Sequence, residues 1–242
     1  MSPMSPGTRS LLRVSAVVLA VGAVLVSTLS IVGVLGRESV RIDRTYPGIR
    51  VVDIDVGAES VEIVAGAGSR TQIRRVVSWS LGRPTVSQRR QGDRLVVRSN
   101  CPISFGRGCG GTLRLAVPAA TEVRADVSGA SITVGGMSGV LVLTSSAGSV
   151  RGRGLVSPDV TASSSAGSVS LTFAVPPSRV STESSAGSVQ VLVPRGSETY
   201  RVDASSSAGS SKVSVRTDPG SSRTIKARSS AGSVRVAYLE RP

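Results

Sequence analysis

The strongest constraint on the fold is a six-residue phrase that recurs five times after residue 144. It reads SSAGSV at Ser145, Ser164, Ser184 and Ser229, and SSAGSS at Ser206. The starts are 19, 20, 22 and 23 residues apart. A repeat of about 20 residues is typical of a solenoid, in which each repeat forms one coil stacked on its neighbour.

The residues around each phrase alternate between apolar and polar. Four positions before the first serine stand Leu141, Val160, Val180, Val202 and Ile225, and valine follows the corner at Val150, Val169, Val189 and Val234. Period-two alternation predicts strands with one buried face, so each coil is strand, tight corner, strand and loop. Looser copies begin at Val51 and Val123. We therefore expect an all-β domain, a β-solenoid of coils of 19–23 residues, over residues 49–242.

The phrase itself has a structural explanation. Counting in twos makes the first serine inward-facing, and the glycine three residues later suits a corner with positive φ. We expect consecutive coils about 4.8 Å apart, with serine hydroxyls bonded to one another along the stack. The corner ladder comprises Ser145, Gly148, Ser164, Gly167, Ser184, Gly187, Ser206, Gly209, Ser229 and Gly232. A Gly/Ser linker is the alternative, but the flanking Val and Leu keep their phase through every copy.

The residues that enzymes commonly use are scarce. The chain has no His, and its serines lack a G-x-S-x-G or Ser-x-x-Lys setting. The 15 acidic residues are scattered, without a pair suited to glycoside hydrolysis. Asp53 and Asp55 lie two apart on the outer face of one strand, without further calcium ligands. We expect no enzymatic activity, no cofactor and no metal.

The amino-terminal segment is apolar. Residues 14–35 contain no charge over 22 positions, enough for a helix to cross a bilayer. A cleaved signal peptide is the alternative, but its apolar region is usually 7–15 residues long. We predict a cytoplasmic tail at 1–13, a single transmembrane helix at 14–35 and a juxtamembrane linker at 36–48. Arginines flank both sides of the span, so the positive-inside rule does not favour an external body.

Two cysteines, Cys101 and Cys109, close a short loop in CPISFGRGC. In an oxidising compartment we expect a disulfide worth about 2–3 kcal/mol. Two reduced thiols in a cytoplasmic hairpin are the alternative. The cysteine pair and the Ser-, Thr- and Gly-rich body favour the extracellular side of the cell membrane.

Arginine is concentrated in residues 70–114, which contain ten Arg and one acid, Asp93. The segment SQRRQGDR predicts a hairpin, and Arg83, Arg89, Arg90 and Arg94 are candidates for binding an anionic surface, such as lipid headgroups or cell-wall polymers. A stiff stack could hold such a basic tip away from the membrane. Alternatively, the arginines keep an exposed strand edge from pairing with neighbours. Nucleic acid is not expected, because no aromatic stacking platform accompanies them.

The anchor, the CPISFGRGC loop leading into TLRLAVPAATEVRADV, and the strand–SSAGSV–strand units resemble the bacterial putative-adhesin family. The likeness covers residues 45–242 and implies an autotransporter-adhesin-like β-solenoid, but no binding residues. Family members usually have Asp after the corner glycine, where this chain has Ser, so a row of bound cations is not implied. The resemblance implies an adhesin or envelope scaffold, with anionic wall polymers or envelope proteins as partners. The alternative is an accessory sensor or regulator of an envelope stress or signalling system. The sequence does not predict an oligomeric state.

Overall fold

The computed structural model describes residues 38–80, 83–101 and 109–240, and there the chain is all-β. The first strands are β1 (Glu38–Pro47), β2 (Val51–Val56), β3 (Glu59–Gly66), β4 (Arg70–Trp79), β5 (Thr85–Gln91), β6 (Arg94–Asn100) and β7 (Cys109–Pro118). The middle strands are β8 (Glu122–Val127), β9 (Ile132–Gly135), β10 (Leu141–Ser145), β11 (Val150–Leu155), β12 (Asp159–Ser164) and β13 (Val169–Phe173). The last are β14 (Arg179–Ala186), β15 (Val189–Val193), β16 (Arg201–Ala208), β17 (Ser211–Ser214), β18 (Thr224–Ala231) and β19 (Val234–Tyr238).

Two mixed sheets enclose the core. Sheet A has ten strands in the order β1-β4-β7-β3-β9-β11-β13-β15-β19-β17, and sheet B has nine in the order β16-β18-β14-β12-β10-β8-β2-β6-β5. From β8 onward, consecutive strands alternate between the two sheets, and each SSAGS phrase lies at a crossing. Neighbouring strands there are parallel, whereas β1, β4 and β5 pair antiparallel.

Equivalent residues of the repeats face one another across the ladders. Leu141 pairs with Val160, Val160 with Val180, and Val180 with Ile225, and all four are fully buried. The corner serines are paired in the same way. The aliphatic side chains therefore form continuous rows inside the stack, as the alternation predicts.

The order of the last two coils differs from the expected consecutive stacking. The coil of β18 and β19, which contains Ser229, lies directly on the Ser184 coil. The Ser206 coil lies outside it, so β16 and β17 are the edge strands at this end. The Ser206 copy is the one that has Ser211 where the others have valine. Placing the least apolar coil outermost leaves the more apolar Ile225 copy in the fully buried position, which is favourable because apolar burial stabilises the fold.

At the opposite end, part of the expected linker is structured. Residues 38–47 of the predicted linker 36–48 form strand β1, which pairs antiparallel along the whole of β4. The sheets therefore begin before the predicted boundary at residue 49. The predicted tail, 1–13, and span, 14–35, lie outside the described residues, within which no helix is long and apolar enough to cross a membrane.

Candidate functional site

The corner serines bond to the neighbouring coil through its backbone. Each hydroxyl donates to the carbonyl oxygen at the glycine position of the adjacent coil. The O···O distances are 2.9 Å for Ser145 to Ala130, 2.8 Å for Ser164 to Gly148, 2.8 Å for Ser184 to Gly167, 2.8 Å for Ser229 to Gly187 and 2.6 Å for Ser206 to Gly232. The expected hydroxyl-to-hydroxyl ladder is therefore replaced by a serine-to-carbonyl ladder. Each bond joins two coils and satisfies a polar group that burial would otherwise penalise.

The ladder glycines are needed mainly because the backbones of neighbouring coils approach closely at the corners. A Cβ on Gly167 or Gly187 would lie 2.5 Å from the carbonyl oxygen of the glycine in the coil beneath it. Only Gly209 and Gly232 of the five ladder glycines have positive φ, near 155°. The expected positive φ is therefore absent at the other three, where the nearby backbone, and not the dihedral angle, excludes a side chain.

The serine corners are consequently occupied with holding coils together. Ser145, Ser164, Ser184 and Ser229 are buried, and Ser206 in the outermost coil is half-buried. The hydroxyl proton of each is engaged with a carbonyl, so it is not available to a general base. The serine corners are therefore not free to act as a catalytic site.

The arginines predicted to bind an anionic surface do not form one patch. Arg89 and Arg90 are exposed on β5, the edge strand of sheet B, and Arg94 lies on β6 across the hairpin turn. Arg83 precedes β5 and lies over the ring of Trp79, with its guanidinium carbon 5.6 Å from the ring centroid. Because a strand rises about 3.3 Å per residue, Arg83 and Arg89 are about 20 Å apart. Arg94 pairs with Asp53 on the outer face of sheet B, so part of its charge is already neutralised.

The free edges of β1 and β5 together form one end of the stack, which we call the basic end. Its exposed arginines are Arg41, Arg44, Arg83, Arg89 and Arg90. Arg44 and Arg90 occupy positions paired with the buried Ile73 and Leu95, that is, in phase with side chains that point into the core. No further coil covers them and both side chains are exposed, and the Nε of Arg90 donates to the carbonyl oxygen of Gly92 at 2.8 Å. The Arg90 Nη2 lies 3.9 Å from the ideal Cβ position of Gly48, in the turn after β1.

A buried ion pair inside this end was missed in the sequence. Arg75 on β4 donates to both carboxylate oxygens of Glu59 on β3, at 2.7 and 2.6 Å, across the intervening strand β7. It also donates to the carbonyl oxygen of Arg98 at 3.3 Å, which ties sheet A to sheet B. Gly111 on β7 leaves room for the pair, since a Cβ there would lie 3.1 Å from Cγ of Glu59.

The sequence carried a signal for this pair. Arg75 falls in phase with Ile73 and Val77, and Glu59 falls in phase with Val61, all of which are buried. A charged residue at an inward position predicts a buried partner of opposite charge. The bidentate geometry suits a structural role, because both carboxylate oxygens are already bonded.

The predicted disulfide is confirmed. Cys101 at the end of β6 and Cys109 at the start of β7 are bonded, with Cα atoms 6.1 Å apart. Since β6 belongs to sheet B and β7 to sheet A, the bond is a covalent link between the two sheets at the basic end.

The surface around the basic end also carries exposed ion pairs. A depression of about 510 Å³ on the outer face of sheet A is lined in part by Arg44, Arg74 and Arg114. Arg74 pairs with Asp43 at 3.3 Å and Arg114 with Glu62 at 2.8 Å. In the described ranges there is no cluster of three or more His, Cys, Asp or Glu that could hold a metal ion.

One tyrosine near the other end of the stack, at the Ser206 coil, has a shifted pKa. Tyr200, just before β16, is buried, and its hydroxyl has no hydrogen-bond partner among the described residues. Desolvation by burial raises the pKa of Tyr200 to about 12, while the nearby Arg223 opposes the shift. The phenol therefore stays neutral over the physiological range and acts as a core side chain.

Comparison with known proteins gives structural neighbours of low identity. No protein-family model and no curated protein matches the chain. A putative cell adhesion protein from Clostridium sporogenes has a TM-score of 0.47 and 7% identity, and the match covers 84% of this chain and 100% of that one. A putative adhesin from Bacteroides fragilis has a TM-score of 0.38 and 10% identity, covering 84% and 97%. A putative lipid binding protein from Parabacteroides distasonis has a TM-score of 0.33 and 11% identity, covering 85% and 97%. TM-scores and sequence identities this low are not a basis for assigning a function to this chain.

Proposed function

We propose that this protein is a non-enzymatic, single-pass membrane protein of the cell envelope, whose extracytoplasmic body is a β-solenoid with an adhesive or scaffolding role. The observation that carries the proposal is the in-register stacking of equivalent repeat positions in both sheets. Stacked coils joined by backbone ladders and serine-to-carbonyl bonds form a stiff body, which suits mechanical spacing better than catalysis.

The disulfide supports the extracytoplasmic side. Cys101 and Cys109 are bonded, and such structural disulfides persist in oxidising compartments and are rare in the cytosol. The apolar run at 14–35 supports an uncleaved anchor. Together these features favour a body held at the outer surface of the membrane that contains the anchor.

The hydrogen bonding of the corner serines and of the buried Glu59 supports a non-enzymatic role. The hydroxyls of the repeated serines donate hydrogen bonds to backbone carbonyls, and the buried Glu59 accepts from Arg75 through both carboxylate oxygens. Neither group is arranged with a cleft and a proton acceptor, as a nucleophile or a general base would be.

Sidedness and anchoring can be tested on intact cells. A membrane-impermeant maleimide should label Cys101 and Cys109 only after reductant is added, and the protein should remain in the membrane fraction at its full length. Labelling only after the cells are lysed, or release of a shortened protein into the medium, would contradict the proposal. A C101S/C109S variant is the control for labelling of other proteins.

Adhesion is tested by binding of cells that express the protein to isolated cell walls and to abiotic surfaces. Increased retention relative to cells without the protein is expected. Unchanged retention, with the protein correctly displayed, would leave a scaffolding role and would exclude the adhesive one.

A further inference from the structure

We propose that the basic end of the stack docks on the anionic headgroups of the membrane that carries the anchor, so that the stack stands on this surface and projects its other end outward. This inference rests on the proposed function, because it takes residues 14–35 to be the anchor. It assigns a lipid-binding surface and an orientation to a body that a tether alone would leave free to tilt.

The chain enters the body at the edge of sheet A. The apolar run ends at residue 35, and β1 begins at Glu38. The three residue steps from 35 to 38 span at most about 11 Å even in a fully extended chain. Because β1 is itself the edge strand of sheet A, the end of the stack formed by β1 and β5 lies next to the membrane surface.

This end of the stack carries an excess of positive charge. Arg41, Arg44, Arg83, Arg89 and Arg90 are exposed there. Acidic groups on the same strands are Glu38 and Asp43, and Asp43 is paired with Arg74 on β4. Asp93, in the β5–β6 turn, is the nearest further acid. The basic end is therefore net positive, and its attraction to anionic headgroups acts over about one Debye length, 8–10 Å, once the tether at Glu38 brings the end to the membrane surface.

Two of these arginines lie on the inward-facing side of their strands. Arg44 and Arg90 come from opposite sheets, and both occupy core-phase positions that no further coil covers. The Nε of Arg90 donates to the carbonyl oxygen of Gly92 and its Nη2 lies near Gly48, so this side chain lies across the end of the stack, whereas Arg44 also borders the depression on the outer face of sheet A. If the arginines served only to keep the sheet edges from pairing with other strands, positions on the outer faces of β1 and β5 would serve equally well. The inward-facing positions of Arg44 and Arg90 are therefore not explained by edge protection alone.

This placement reverses the expectation of a basic tip held away from the membrane. Sheet B has nine strands, so its far edge, β16, is about 38 Å from β5 at about 4.8 Å per strand. The distal end is formed by the Ser206 coil, and Arg89 and Arg90 are proximal.

The test uses the full-length chain in lipid nanodiscs. Amide hydrogen exchange of peptides from β1 and β5 is compared between discs of phosphatidylcholine alone and discs with 40% phosphatidylglycerol, at low and high salt. We expect exchange in these peptides to slow at least fivefold in the anionic discs and the protection to disappear at 1 M salt. In an R44Q/R90Q variant the protection should be lost, whereas an R201Q/K212Q variant, altered at the distal end, should keep it.

The nanodisc experiment distinguishes loss of docking from loss of the anchor. Equal exchange in the two kinds of disc would overturn the docking inference, and so would equal protection in both variants. If the chain instead fails to remain in either disc, the anchor and the proposed function fail first, and this is distinguishable from loss of docking. A melting temperature of R44Q/R90Q equal to that of the unmodified chain shows that the variant is folded.

Discussion

The glycine of the central corner provides the most direct test of the stacking. In a Gly187→Ala variant, the new Cβ would lie 2.5 Å from the carbonyl oxygen and 2.6 Å from the carbonyl carbon of Gly167. To bring the first distance to 3.0 Å, the two coils must separate by about 0.5 Å at the corner, because both contacts are with backbone atoms.

The cost follows from what this separation disturbs. The hydroxyl of Ser184 donates to Gly167 at 2.8 Å and that of Ser229 donates to Gly187 at 2.8 Å. Overpacking costs about 1–3 kcal/mol, and two weakened hydrogen bonds cost about 1 kcal/mol each. We therefore expect a loss of about 3–5 kcal/mol in the free energy of unfolding, or a melting temperature lower by roughly 10–15 °C.

The matched control is Gly57→Ala at the β2–β3 corner. An added Cβ there has no atom within 4 Å, so the same substitution should change the free energy by less than about 0.5 kcal/mol. Thermal unfolding of both variants, followed by far-ultraviolet circular dichroism, makes the comparison. If the two variants melt at the same temperature, close approach of the coils is not what requires glycine at residue 187.

Three further predictions concern buried polar groups. Ser184→Ala should cost about 1–2 kcal/mol, because the Gly167 carbonyl loses its donor, whereas Ser185→Ala at the adjacent exposed position should cost almost nothing in denaturant titrations. Arg75→Met should cost about 3–5 kcal/mol by leaving Glu59 buried and unpaired, and a double variant with Glu59→Leu should recover much of that loss; a double variant as unstable as the single one would show that the pair itself stabilises the fold. The raised pKa of Tyr200 favours the neutral phenol in the folded state, so its contribution is complete below pH 10 and is lost as the pH rises to about 12. Tyr200→Phe should therefore remove about 2 kcal/mol of the fall in stability between pH 10 and pH 12, and an unchanged alkaline profile would contradict this assignment.

Local sequence patterns predicted much of this fold. The alternation around each SSAGS phrase identified the inward residues, such as Val160 and Val189, and both are buried. The short spacing of Cys101 and Cys109 predicted their disulfide. The same alternation would have identified Arg75 as inward-facing, but it does not show that Glu59 lies on a strand two positions away in sheet A.

The candidate site was less predictable. Arg83, Arg89, Arg90 and Arg94 are close in the chain, but Arg83 precedes β5 while Arg89 and Arg90 lie near its other end, and Arg94 is paired with Asp53. Arg44 lay in a segment that the sequence assigned to a linker, and only its pairing with β4 places it at the same end of the stack as Arg90.

What the sequence determined by itself is the coil: its two strands, its inward and outward faces and its serine–glycine corner, because alternation and turn chemistry act over a few residues. What only the tertiary structure decided is the order of the coils and the partners of the charged groups. Every copy offers nearly the same parallel edge to its neighbours, so backbone pairing alone does not distinguish one order from another. The choice depends on small differences in buried side chains, such as Ser211 in place of valine, summed over the whole stack.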